Sequence, residues 1–220
     1  MHYKYLPASR LDVLQNLKIR FTPIGLLNDP YEVFGAKGLS TINCGFTGVY
    51  DGCLVLSLSK DPNNLLMWSH YADGGAGFVL GLDLNSANCC HIKTLSEEFT
   101  IDDVQYEDEL PNLNDIDPKQ LFLTKPKCWK YEEEARILAI SNPEYLAPSH
   151  DYSIPMFLYS LPKDAIKKVY VGPNASELTK FYIKYFIEKH QIQCDIIQMV
   201  LNPERFGFLE QSKLGLSKNN

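Results

Sequence analysis

The run LVLSLSKDPNNLLMWSHYADGGAGFVLGLD, from Leu54 to Asp83, leaves this chain fewer choices than any other stretch. The apolar segment Leu54 to Leu58 predicts a short strand. Asp61-Pro62 then supplies a capping side chain followed by a proline suited to the first helical position, so a helix is expected to begin there. Leu65, Leu66, Met67, Trp68, Tyr71 and Ala72 surround nearly the whole helical circumference, which predicts a helix enclosed on most sides. His70 falls between Leu66 and Met67 on the wheel, an imidazole among apolar neighbours, and both a core histidine and a ligand contact stay open. Gly74, Gly75 and Gly77 are expected to end the helix and turn the chain into a second strand. No Lys-Ser/Thr pair and no G-x-G-x-x-G pattern accompanies them, so they do not read as a phosphate-binding loop.

The chain leads up to this segment as strand, helix, strand. His2 to Leu6 is extended, Ser9 caps LDVLQNL with Leu11, Leu14 and Leu17 at helical spacing, and KIRFT resumes an extended pattern. Asn28-Asp29-Pro30 is a turn signal followed by Glu32, either an Asx-type turn or a polar loop at the edge of a cleft. Gly35 to Gly52 is glycine-rich and unpatterned, and reads as a loop.

Beyond the central segment, Phe99 to Tyr106 reads as a strand, EDELPNLNDIDP as a solvated acidic loop, and Ile116 to Lys125 as a short helix. In KPKCWKYEEEARILAI, a strand over Lys130 to Ile140 would place Glu132, Glu134 and Arg136 on one face. Neighbouring carboxylates raise each other's pKa, whereas Arg136 favours their ionised forms. A charged surface helix competes for YEEEARIL on propensity. Ile166 to Gly172, a helix capped by Asn174 or Ser176, and Cys194 to Leu201 form a β-α-β crossover with parallel strands. Leu178, Phe181, Tyr182, Tyr185 and Phe186 have the spacing of a stripe that packs on a sheet. Glu210 to Asn220 reads as a frayed polar tail.

These elements predict an α+β chain with a mixed, split β-sheet, flanking helices and the C-terminal β-α-β unit, organised as a single domain over residues 1–220 with its core at about residues 2–201. No apolar run is long enough to span a bilayer, and MHYKYLPASR lacks the pattern of an export signal, so a soluble cytoplasmic protein with no membrane partner is expected. Six cysteines without a C-x-x-C pair, and five histidines outside metal-ligand spacing, favour reduced thiols over a metal site. The net charge of −6 weighs against broad non-specific attraction to nucleic acid.

Tyr3-Lys4-Tyr5, Asn28-Asp29-Pro30-x-Glu32, Ser57-Leu58-Ser59, Met67-Trp68-Ser69-His70-Tyr71-Ala72, Gly77-Phe78, Tyr106, and Lys125 with Trp129, Tyr131, Glu132, Glu134 and Arg136 occur in an order that resembles the bacterial Domain of Unknown Function 2971 family, from about Tyr3 to Leu201. That resemblance brings no reaction with it. A more distant one, to ADP-ribosyltransferases, implies a split-sheet cleft built from an early strand, a serine- and tyrosine-bearing segment, and a late strand with a catalytic glutamate in E-x-E. The family's early-strand Arg or His has no counterpart in HYKYL unless His2 or Lys4 substitutes.

The second resemblance implies NAD as a substrate, Glu134 as the catalytic carboxylate and Glu132 as the group that orients the acceptor. It also implies Trp68 and Tyr71 against nicotinamide, Ser57 or Ser59 supporting the glutamate, and Lys4, Tyr5, His70 and Arg136 in the cofactor-binding wall. Asn28, Asp29 and Glu32 are further cleft candidates. No metal is expected, the acceptor is open among protein, nucleic acid and small molecule, and a toxin or defence role with an inhibitory partner protein is implied. On this reading Glu134→Gln abolishes activity with little loss of stability. Two alternatives stand beside it. One is a metal-dependent nuclease in which Asp29, Glu32, Glu132 and Glu134 hold magnesium with Lys125 or Lys127 near a phosphate. The other is a non-enzymatic binding module whose E-x-E-x-R face is an ion-pair array. A Ser-His-Asp hydrolase built on Ser57, Ser69, His70 and Asp73 lacks the G-x-S-x-G elbow.

Overall fold

A computed structural model describes residues 1–31, 52–84, 92, 94, 99–112, 117–147 and 156–211. In chain order the described elements are His2–Leu6 (β1), Asp12–Asn16 (α1), Lys18–Pro23 (β2), Cys53–Ser59 (β3), Leu65–Tyr71 (α2), Phe78–Leu82 (β4), Asp102–Asp103 (β5) and Gln105–Glu107 (β6). They continue as Pro118–Leu121 (α3), Thr124–Pro126 (β7), Glu134–Ile140 (β8), Phe157–Ser160 (β9), Ile166–Val171 (β10), Glu177–His190 (α4), Asp195–Leu201 (β11) and Phe208–Gln211 (β12). The fold is α+β and its ladders are mostly antiparallel. The loop expected over Gly35 to Gly52 lies outside the described residues except for its last residue, and Cys44, Cys89 and Cys90 lie outside them altogether. Among the described residues no helix is long and apolar enough to cross a membrane.

The chain divides into two units. The first comprises Met1–Lys18, Leu58–Cys89 and Ser160–Asn220. Its strands run in the order β12, β11, β10, β4, β1. Every residue of β4 is buried, with β1 and β10 antiparallel on either side. β10 and β11 are parallel and joined by α4, the β-α-β unit predicted from sequence. Ser176 caps α4, its hydroxyl accepting from the Thr179 N–H at 3.0 Å. Residues expected in the polar tail, Glu210 and Gln211, instead pair with Met199 and Gln198 as the end of β12, and residues 212–220 lie outside the described set.

Two expectations about helices are corrected. On α4 the buried residues are Thr179, Ile183, Phe186 and Ile187, while Leu178 and Phe181 are 63% and 60% exposed and Tyr185 is 46% exposed. The helix has two apolar faces sharing its amphipathic period, and the narrower isoleucine face is the inward one. On α2 the cap is Asn64, not Asp61: Asn64 Oδ1 accepts from the N–H groups of Leu66 and Met67 at 2.9 and 3.1 Å. Asp61 closes a turn on the Asn63 N–H, and the Pro62 carbonyl is taken by the Trp68 indole, so helix begins only at Leu65. Met67, Trp68 and Ala72 are buried, but Leu66, Ser69 and His70 are exposed. The enclosed helix and its core histidine are therefore not found.

The glycine turn after α2 does form. Gly74 and Gly75 adopt φ of 59° and 86°, and a Cβ on Gly77 would lie 2.2 Å from the Leu6 carbonyl oxygen, so only glycine lets β1 approach.

The second unit comprises Ile19–Ser57 and Cys90–Tyr159. Thr22 and Pro23 of β2 pair with Val55 and Leu54 of β3, β8 lies beside β3 and β5, and β9 beside β2. Its core joins Ile24, Cys53, Val55, Phe122 and Leu138. A small parallel pair, β6 and β7, stands apart from that sheet. The strand predicted from Phe99 is two short pieces, β5 and β6, and the helix predicted to Lys125 is confined to α3 before the chain extends as β7. The strand predicted from Lys130 begins only at Glu134. Lys127–Glu132 is a 3-10 turn, and Glu133 at φ 43° breaks the backbone between turn and strand.

Candidate active site

The densest chemistry in the second unit is a buried cluster at the start of β8. Lys125 leaves β7 with its Nζ donating to Glu132 Oε2 at 2.6 Å and Glu134 Oε2 at 3.0 Å. Arg136, two residues along β8, forks onto the same carboxylate: Nε donates to Glu134 Oε1 at 2.8 Å and Nη2 to Oε2 at 2.9 Å. Its remaining arm, Nη1, donates to the Phe122 carbonyl at 2.6 Å. The Ser57 hydroxyl, from β3, also hydrogen-bonds to Glu134. The Tyr106 hydroxyl accepts from the Glu134 N–H at 2.8 Å. Lys125, Glu132, Glu134 and Arg136 are all buried, so two cations and two carboxylates offset one another away from water.

The alternation predicted for one continuous strand is not what gathers these groups. Glu132 reaches the cluster from the 3-10 turn, and Lys125 bridges it to Glu134 across the break at Glu133. Burial pushes the Glu134 carboxyl up, but the Arg136 charge and its hydrogen bonds, then Lys125 and the Ser57 hydroxyl, outweigh it and hold the group at about 2. Glu134 is therefore ionised throughout the physiological range. Burial also lifts Tyr106 to about 12, which keeps its hydroxyl protonated beside that carboxylate. Cys53, buried near Arg136, is raised to about 12, and Cys53, Cys128 and Cys194 are free thiols.

An aromatic edge adjoins the cluster. Lys125 Nζ lies 4.9 Å from the Trp129 ring centroid, and Trp129 is tilted against Tyr131 at 6.1 Å. Both rings are half-buried.

The other predicted site residues divide between the units. Lys4, Tyr5, Ser59, Trp68, His70 and Tyr71 belong to the first. There the Tyr5 hydroxyl donates to the Asp61 carbonyl at 2.7 Å, and the Ser59 hydroxyl exchanges 3.2 Å bonds with the Asp61 backbone. Trp68 is 1% exposed, its Nε1–H donates to the Pro62 carbonyl, and its ring is in T-shaped contact with those of Tyr5 and Phe208. Where nicotinamide was expected against Trp68, the ring is buried and its donor is committed. His70 and Tyr71 stand in edge contact at 6.3 Å, His70 exposed and Tyr71 half-buried, and Lys4 is half-buried. In the second unit Asn28 is exposed, while Asp29 is buried with Oδ1 accepting from the Tyr31 N–H at 2.9 Å. Glu32 lies outside the described residues. Among the described residues no three His, Cys, Asp or Glu side chains gather into a metal-binding group.

Residues 67–137 match the model of a family described as "Protein of unknown function (DUF2971)". The matched segment runs from α2 into β8, so the DUF2971 similarity takes in Lys125, Glu132, Glu134 and Arg136. No curated protein and no solved structure matches the chain. The sequence reading named Glu132, Glu134 and Arg136 together but did not join Lys125 to them, and of the two indoles it singled out the buried Trp68 rather than the half-buried Trp129. Trp129 carried a signal, since it lies between Lys127 and Lys130, both of which are exposed.

Proposed function

We propose that the chain binds NAD and breaks its nicotinamide–ribose bond, an ADP-ribosyltransferase-like reaction, at the Lys125–Glu132–Glu134–Arg136 cluster. The observation that carries this reading is the Ser57 hydroxyl on Glu134: a serine of the central, serine- and tyrosine-bearing segment reaches the late-strand carboxylate, the supporting contact that the resemblance implies for Ser57 or Ser59. In the reaction the C–N electron pair leaves with nicotinamide and positive charge develops on the ribose. A carboxylate that stays ionised stabilises that charge, and Glu134 is held so by its cationic neighbours. The incoming acceptor oxygen or nitrogen bonds to the ribose carbon and gives up its proton, for which Glu132 is the nearby base. Uncontrolled NAD cleavage would harm a host cell, so an inhibitory protein partner and a toxin or defence role accompany this reading.

A second reading, a binding module with a structural ion-pair array, is favoured by one feature: both Glu134 oxygens already accept from Lys125 and Arg136. That saturation also revises the expectation that Glu134→Gln is neutral for stability, because the variant leaves two buried cations short of a partner. Ser57→Ala separates the readings more gently. It removes one hydroxyl at a cost of about 1 kcal/mol, and on the enzymatic reading it lowers kcat for nicotinamide release at least several-fold while the protein stays folded. Release unchanged in Ser57→Ala would contradict the role given to that serine, and no release from the wild type with any acceptor would favour the module.

A further inference from the structure

The chain has two tryptophans, and the fold treats them differently. Trp68 is buried in T-shaped contact with Tyr5 and Phe208, its indole N–H spent on a carbonyl. Trp129 rides the 3-10 turn Lys127–Glu132 half-buried, and among the described residues its indole N–H has no hydrogen-bond partner. Its orientation is nevertheless fixed. The Lys125 ammonium lies 4.9 Å from the ring centroid and is itself tied to two buried carboxylates, and Tyr131 braces the ring at 6.1 Å. A cation so anchored holds the indole in place while leaving part of it open. Lys130, one residue on, is exposed and carries the nearest positive charge in sequence outside that cluster.

A half-buried indole braced by a cation and a second ring, with an exposed lysine beside it, suits a flat ring bearing an anionic group. We infer that Trp129, braced by Lys125 and Tyr131, is the platform on which the planar heteroaromatic ring of a nucleotide stacks, with Lys130 facing its phosphate. This rests on the proposed NAD reading for the choice of nucleotide, and it moves the ring contact from Trp68 to the turn beside Glu132. Stacking of a base on an aromatic side chain is strong enough to dominate such a contact and tolerates different ring types.

The test titrates the full chain with nicotinamide mononucleotide, AMP and NAD, following tryptophan emission and binding heat in parallel. The platform predicts that at least one of them quenches the wild type. In Trp129→Leu the remaining Trp68 emission stays constant and calorimetric affinity falls about tenfold. Trp129→Phe, which keeps a ring, recovers most of the binding. Quenching by nicotinamide mononucleotide alone or AMP alone identifies the stacked ring. Equal affinity in Trp129→Leu overturns the platform, and so does the absence of binding by all three probes. If Trp129→Leu does not fold, Lys130→Ala and the quench of the wild type decide, since a purely structural Trp129 gives no ligand-dependent change in emission. Nicotinamide release is read separately: turnover with an unchanged KM in Trp129→Leu leaves the reaction and removes the platform, whereas AMP binding at Trp129 without NAD cleavage does the reverse.

Discussion

Removing the Lys125 ammonium would leave Glu132 and Glu134 buried without the cation that bridges them, at 2.6 and 3.0 Å. Stripping one partner from a buried ionic group costs about 3–5 kcal/mol, and because Arg136 still pairs with Glu134 the loss falls chiefly on Glu132. Lys125→Ala is therefore expected to lower stability by that order in chemical denaturation, whereas Lys127→Ala, whose pair with Asp108 is exposed, should leave it nearly unchanged. The acid limb carries a matching signature. Glu134 is held at about 2 in the folded chain against an ordinary 4.5, so the unfolded chain takes up a proton that the folded chain refuses. Its stabilisation is fully present above pH about 4.5 and is lost as pH falls toward 2, on the order of 3 kcal/mol. Denaturation curves over that window should flatten in Glu134→Gln relative to wild type; parallel curves would contradict the ionised, ion-paired Glu134.

At the scale of elements, α4 shows where sequence periodicity stops. Its aromatic face and its isoleucine face repeat with the same period, and nothing local says which one meets the sheet. Phe181→Ser should accordingly alter stability far less than a core truncation, by about 0.5 kcal/mol, because the side chain is already 60% exposed. Ile183→Ala, fully buried, should cost about 2–5 kcal/mol in the same melt. The β-α-β unit was legible because a capped helix between two apolar strands admits one chirality and one pairing. The start of β8 was not, since YEEEARIL satisfies strand and helix propensities alike and the break depends on Glu133 entering the left-handed region at φ 43°. Identity of the cluster survived that error: Glu132, Glu134 and Arg136 were readable as a charged constellation, but the Lys125 bridge joins residues seven and nine positions apart through a turn that periodicity does not describe.

Across the whole molecule, the chemistry divides by unit. The second unit holds the ionic cluster, its Ser57 prop and the Trp129 edge, while the first holds the aromatic packing of Trp68 and the glycine-limited contact of β1 with the turn at Gly77. Gly77→Ala forces a Cβ to within 2.2 Å of a carbonyl oxygen and should unfold or severely weaken the first unit, seen as a lowered melting transition. The proposed NAD chemistry belongs to the second unit. Its most direct test is release of nicotinamide from NAD by the purified full chain, with Glu134→Gln measured alongside at a temperature where circular dichroism shows both folded. Release by the wild type that falls at least a hundredfold in the variant is the predicted result; equal release by the two folded proteins, or none from the wild type across protein, nucleic-acid and small-molecule acceptors, would contradict it.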